Sequence, residues 1–215
     1  MGKAPLIHAC NTAKKSIDAP GAAAVPLRPS QHRTPGGGPP ILRLMDHELL
    51  TRLSRTPTTV AHLLADCPEA VFTSPPSDGE WSPQVIVAHL RDDEYLCMRL
   101  ALERMLAEDT PELRFLRGGE WEPARNRSRD RKDHLLADFA LQRQASLAIL
   151  RMLEPGDWQR AGRRDGALFT VEDLVREWVQ HDAEHIAQLE RAVGETLTDV
   201  LERRSRMARG HGSVQ

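Results

Sequence analysis

With 215 residues, 40% of them hydrophobic and 28% charged, the chain can bury one substantial core and leaves little for a second domain. A formal charge of -2 offers no electrostatic ground for nucleic acid or an anionic membrane as partner, and no apolar run approaches the roughly 18 to 20 residues that a bilayer span needs. No secretory signal is legible either, so the sequence predicts a cytoplasmic protein whose partner is a small molecule.

Residues 1–44 are dense in Pro, Gly and Ala, ending in Gly36-Gly37-Gly38-Pro39-Pro40, and are predicted to be a disordered extension with too little apolar surface to pack. Met45 opens an amphipathic run to about Asp66 and raises the question of whether translation starts there. A helical domain is predicted over residues 45–209, followed by a polar tail at 210–215. Cys67 follows that first run; together with Cys10 and Cys97 it forms no C-x-x-C pair, so all three read as reduced structural cysteines. After the turn-rich Pro75-Pro76-Ser77-Asp78-Gly79, Ser82 is a natural N-cap with Pro83 at the first helical position, predicting a helix from Pro83 to about Glu108. Residues 109–128 carry Pro111, Gly118, Gly119 and Pro123 and predict a long crossover. Asp130 to about Glu154 is helical, with Leu135, Leu136, Phe139, Leu147, Leu150 and Leu153 as its stripe and Pro155-Gly156 as its stop. Gly162 to Phe169 reads as loop, and no alternating strand is expected anywhere. Thr170-Val171-Glu172-Asp173 has the form of a capping start for a last long helix ending at Gly194, with a short C-terminal helix at about Thr198–Arg209. The fold class is therefore all-α, a four-helix bundle with a long crossover.

Histidines interrupt two of these stripes. Steps of three and four along the last helix give Leu174, Trp178, His181, His185, Leu189 and Ala192, so two imidazoles one turn apart face the core. The same steps along the second helix give Ile86, His89, Asp93, Leu96 and Leu100. Three buried imidazoles without partners would cost about 1–3 kcal/mol each, whereas one divalent cation satisfies a nitrogen on every ring. His89, His181 and His185 are thus candidate metal ligands. Asp93 lies one turn from His89 on the same face, where it can orient a ligand or serve as a fourth one. His8, His32 and His211 fall in the tails, and His47, His62 and His134 lack a partner at helical spacing; these six read as ordinary surface or packing residues.

Trp81-Ser82-Pro83, the following Val85-Ile86-Val87-Ala88-His89-Leu90 and then Asp92-Asp93-Glu94 resemble the second-helix signature of the DinB/YfiT-like family. Gly166, Thr170-Val171 and Leu174, followed by His181-Asp182-x-x-His185-Ile186-x-Gln188, are similar to its fourth-helix signature. The resemblance covers about residues 45–194. It implies a four-helix bundle with a long crossover, one divalent ion (zinc or nickel) on the positions of His89, His181 and His185, and a homodimer; it does not imply DNA chemistry. Members with an assigned activity resemble S-transferases that use a low-molecular-weight thiol of bacillithiol or mycothiol type, while others are thiol-dependent isomerases or hydrolases. The first expectation is accordingly a metal-dependent thiol S-transferase acting on a small thiol and an electrophilic substrate. The alternatives are a metal-dependent hydrolase, with Asp93 or Glu184 as base, and a non-catalytic metal-binding stress-response module. An open position at the ion separates the enzymes from a structural site closed by a fourth protein ligand.

Overall fold

The computed structural model describes residues 40–115 and 130–210; the N-terminal extension up to residue 39, most of the crossover and the end of the polar tail lie outside the described residues. Helix α1 spans Pro40–Leu64, beginning five positions before Met45. A short α2, Glu69–Phe72, leads to α3, Pro83–Asp93, which passes through a π-helical segment, Glu94–Arg99, into α4, Leu100–Ala107. Helix α5 spans Lys132–Arg151, and α6 spans Val171–Gly210. Ser82 caps α3 by accepting from the Val85 backbone N–H at 3.3 Å. At the start of α6, Asp173 Oδ2 accepts from the Thr170 backbone N–H while Thr170 Oγ1 accepts from that of Asp173, a reciprocal cap.

The chain direction of each helix follows from two apolar clusters. One joins Leu49 and Leu53 of α1, Leu102 and Met105 of α4, Leu147 and Leu150 of α5, and Leu174 and Trp178 of α6. The other joins Val60 and Leu64 of α1, Ile86 and Leu90 of α3, Leu135 and Phe139 of α5, and Leu189 and Ala192 of α6. Helices α1 and α6 therefore run one way, and α3–α4 and α5 run the other. Because α4 and α5 are consecutive yet parallel, the chain between them must travel back along the whole bundle, about 35 Å at 1.5 Å per residue, which is why a long crossover is needed here. Lys132, at the start of α5, donates to the Leu64 and Cys67 carbonyls, at 3.2 and 2.8 Å, at and just beyond the C-terminal end of α1.

Three expectations are corrected. Residues 161–170 form a β-hairpin, β1 Ala161–Arg164 antiparallel to β2 Ala167–Thr170, turning on Asp165-Gly166 with positive φ at both. Its strands, Ala-Gly-Arg-Arg and Ala-Leu-Phe-Thr, are too short to show alternation. Helix α6 continues unbroken through Gly194 to Gly210, so there is no separate C-terminal helix. In the second helical stretch the π segment shifts the register, leaving Leu100 exposed and burying Cys97, Ala101 and Met105 instead.

Between the two apolar clusters lies a polar layer. Arg143, 1% exposed, interrupts the α5 stripe between Phe139 and Leu147. Its guanidinium donates to Asp182 at 2.6 and 3.0 Å, to Glu94 at 2.8 Å and to the Leu53 carbonyl at 2.9 Å. That carbonyl is available because its α-helical donor would be the N–H of residue 57, which is Pro57. Thr56 Oγ1 donates to Asp182 at 2.6 Å and Trp178 Nε1 donates to Glu94 at 3.1 Å. All four long helical stretches are thus joined through one buried network.

Candidate metal centre

The histidines lie at the edge of this layer. His89 comes from the first turns of α3, whose direction Ser82 and Pro83 set, and His181 and His185 come from the middle of α6. His89 is buried; the other two are half-buried, and the side chain of His181 keeps 21% of its surface exposed. One nitrogen from each ring lies within 4.8 Å of the others. His89 Nε2 and His181 Nε2 are 3.1 Å apart. Two nitrogens bound to one tetrahedral ion at about 2.0–2.1 Å stand about 3.3 Å from each other, so the separation fits a shared ligand point. His185 Nδ1 donates to Gln188 Oε1 at 2.8 Å, which leaves its Nε2 with a free lone pair.

The electrostatics suit a cation. Asp93 Oδ2 is 3.3 Å from His181 Nε2, and the other Asp93 oxygen is buried without a hydrogen-bond partner. Asp93, Glu94 and Asp182 are three buried carboxylates grouped near the buried guanidinium of Arg143, so the layer is anionic when all three are ionised and the imidazoles are neutral. Such a setting favours a cation. Burial raises the pKa of Asp93, an effect that His181 partly offsets, and burial raises that of Glu94 against the pull of Arg143. Burial works the same way on Asp182, but Arg143 and His181 outweigh it and hold that carboxyl at about 2. Burial, reinforced by the neighbouring His181, lowers His185 to about 3, so its ring is neutral and ready to coordinate. For His181 the lowering by burial is outweighed by Asp182, whose Oδ1 lies 3.9 Å from Nδ1, and by Asp93.

The structure therefore brings together His89, His181 and His185, with Asp93 beside them. Glu184 does not join them; it is exposed on α6 and accepts from Gln180 at 2.9 Å. His47, His62 and His134 are exposed elsewhere, while His8, His32 and His211 lie outside the described residues. Arg143 was not singled out from the sequence, although it had a signal: it occupies an i+4 step within an apolar stripe. Glu94 stood in the acidic end of the second-helix motif, where such residues read as solvated helix-face charges; it is instead buried, one turn after the buried Leu90.

Comparison with known proteins adds a family and a fold. The DinB superfamily matches residues 52–189. Among solved structures, YfiT from Bacillus subtilis superposes with a TM-score of 0.64 at 18% identity, over 77% of this chain and 91% of that one. YfiT is described as a probable metal-dependent hydrolase with an unusual four-helix bundle topology. At that identity the likeness is one of fold. No curated protein matches the chain.

Proposed function

We propose that this chain, which belongs to the DinB superfamily, is a metal-dependent enzyme that holds one divalent ion with His89, His181 and His185 and acts on a small molecule. The observation that carries the reading is the convergence of His89 Nε2 and His181 Nε2 at 3.1 Å with the Asp93 carboxylate 3.3 Å away. Three protein nitrogens leave one tetrahedral position for water, substrate or the Asp93 carboxylate beside it, and the His181 side chain, 21% exposed, keeps the site from being fully enclosed. When bound, the ion supplies Lewis acidity at this position. The chain's own residues do the rest. Gln188 fixes the tautomer of His185, the Arg143 network fixes Asp182 beside His181, and Asp93, its pKa raised, takes up the proton that an incoming S–H or O–H group gives up.

The first reading of the reaction is S-transfer from a low-molecular-weight thiol of bacillithiol or mycothiol type to an electrophile. Hydrolysis is the second, favoured by the description of YfiT and served by the same base. Titration of the metal-free protein with zinc, nickel and cobalt tests the centre. Replacing any one of the three histidines by Ala should weaken binding by about 100-fold or more, since the ligands act as a set, while His62→Ala and His134→Ala leave it unchanged. Full retention of the ion by His185→Ala overturns the site. Visible spectra of the cobalt-loaded protein should change when a small thiol is added; spectra indifferent to every thiol, together with turnover of hydrolysable esters or amides, would favour hydrolysis.

A further inference from the structure

Beside the histidine triad stands an aromatic side chain that the reading above does not use. Trp81 is the last residue before the α3 N-cap, so its backbone is anchored to the start of that helix, which the capping Ser82 and the rigid Pro83 fix. Its ring lies nearly parallel to that of His185, at 4° and 6.0 Å between centroids, and tilted by 59° to that of His89 at 5.0 Å. Both separations fall within the range of favourable ring pairs. One indole therefore touches ligands from two different helices, α3 and α6. Part of it also packs on the apolar cluster of Val60, Ile86 and Leu189, and it remains half-buried.

An imidazole ligand has two soft torsions, and a site on two helices gains affinity only when both rings are held in their binding rotamers before the ion arrives. His185 is tethered at Nδ1 by Gln188, which restrains one edge of the ring but not its tilt. The face of Trp81 supplies the missing restraint on that tilt and, at the same time, backs the ring of His89. We infer that Trp81 is a positioning residue of the metal centre: its flat face preorganises His185 and His89, and its contribution is to ion affinity and ligand geometry. The inference rests on the metal reading of the triad.

The test uses the full chain, with cobalt as the probe and three variants. Trp81→Phe keeps a flat aromatic face, Trp81→Leu keeps apolar bulk without one, and Trp81→Ala removes both. Cobalt affinity, measured by competition with a chelator, should fall by about tenfold or more in Trp81→Leu and Trp81→Ala and stay within about threefold of the parent in Trp81→Phe. At saturating cobalt the visible bands of Trp81→Leu should shift, because the imidazoles settle at altered angles; a side chain needed only for packing would leave those bands in place. Trp81→Leu serves if Trp81→Ala does not fold. Equal affinity and identical spectra in Trp81→Leu and the parent overturn the inference while leaving the metal site standing. A parent chain that binds no cobalt, zinc or nickel overturns the site and the inference together.

Discussion

His181 and His185 stand one turn apart on α6, yet their surroundings drive their protonation in opposite directions. The folded value of His185, about 3, lies below its ordinary 6.5, so the unfolded chain takes up a proton that the folded state refuses. The stability linked to His185 is then present at neutral pH and lost as the pH falls from about 6.5 towards 3. His181 is raised, so its contribution is present below its unfolded value and lost as the pH rises through the folded one. Below about pH 6.5, where the His181 contribution is already in place, the metal-free protein should weaken on acidification, and His185→Gln should flatten that acid limb; denaturant midpoints between about pH 4 and pH 6.5 check it. An acid limb unchanged in His185→Gln would count against burial as the cause. With an ion bound both rings must be neutral, so acid should release it, and uptake of a proton by His181 is the first competitor. The candidate ligands were legible at this scale because an imidazole within an apolar stripe is a conspicuous exception, and Arg143 is an exception of the same kind.

Secondary structure was legible where periodicity and caps agreed, and obscured where geometry departs from 3.6 residues per turn. The stripe Ile86, His89, Asp93 holds, and Glu94, one turn after Leu90, reaches inward to Arg143, but the π segment that it opens admits extra residues and turns Leu100 out to solvent. The β-hairpin escaped because each strand has four residues, although Asp165-Gly166 is a strong turn signal in itself. Its first strand sits unusually close to the start of the crossover: the Arg163 N–H donates to the Pro111 carbonyl and the Leu113 N–H to the Arg163 carbonyl, both at 2.7 Å. A methyl group on Gly162 would stand 2.7 Å from Leu113 and 2.9 Å from the Pro111 oxygen. Gly162→Ala should consequently destabilise by about 1–3 kcal/mol in chemical denaturation. Gly194 gives the opposite case. It lies inside α6 with open space where a Cβ would be, so Gly194→Ala should stabilise by about 0.5–1 kcal/mol; a loss instead would mean that the helix is interrupted there in solution.

At the level of the whole molecule, the polar layer ties α1, α3 with its π extension, α5 and α6 together through a single guanidinium. Arg143→Met should cost about 3–5 kcal/mol, because it leaves Glu94, Asp182 and the Leu53 carbonyl buried without their donor. Adding Glu94→Gln and Asp182→Asn should recover part of the loss in urea titrations; no recovery would mean that Arg143 acts mainly through its packing. The helical class, the crossover, the two capped helix starts and the three histidines followed from the sequence alone, because each depends on spacing within one segment or on turn residues side by side in the chain. Pairing the Leu53 carbonyl, freed by Pro57, with Arg143, 90 residues later, depends on which helices are neighbours and in which direction they run. So does placing Trp81 against His185, or Asp93 against His181. Those contacts were decided by tertiary packing, since local periodicity specifies the face a residue occupies but carries no information about what another helix brings to that face.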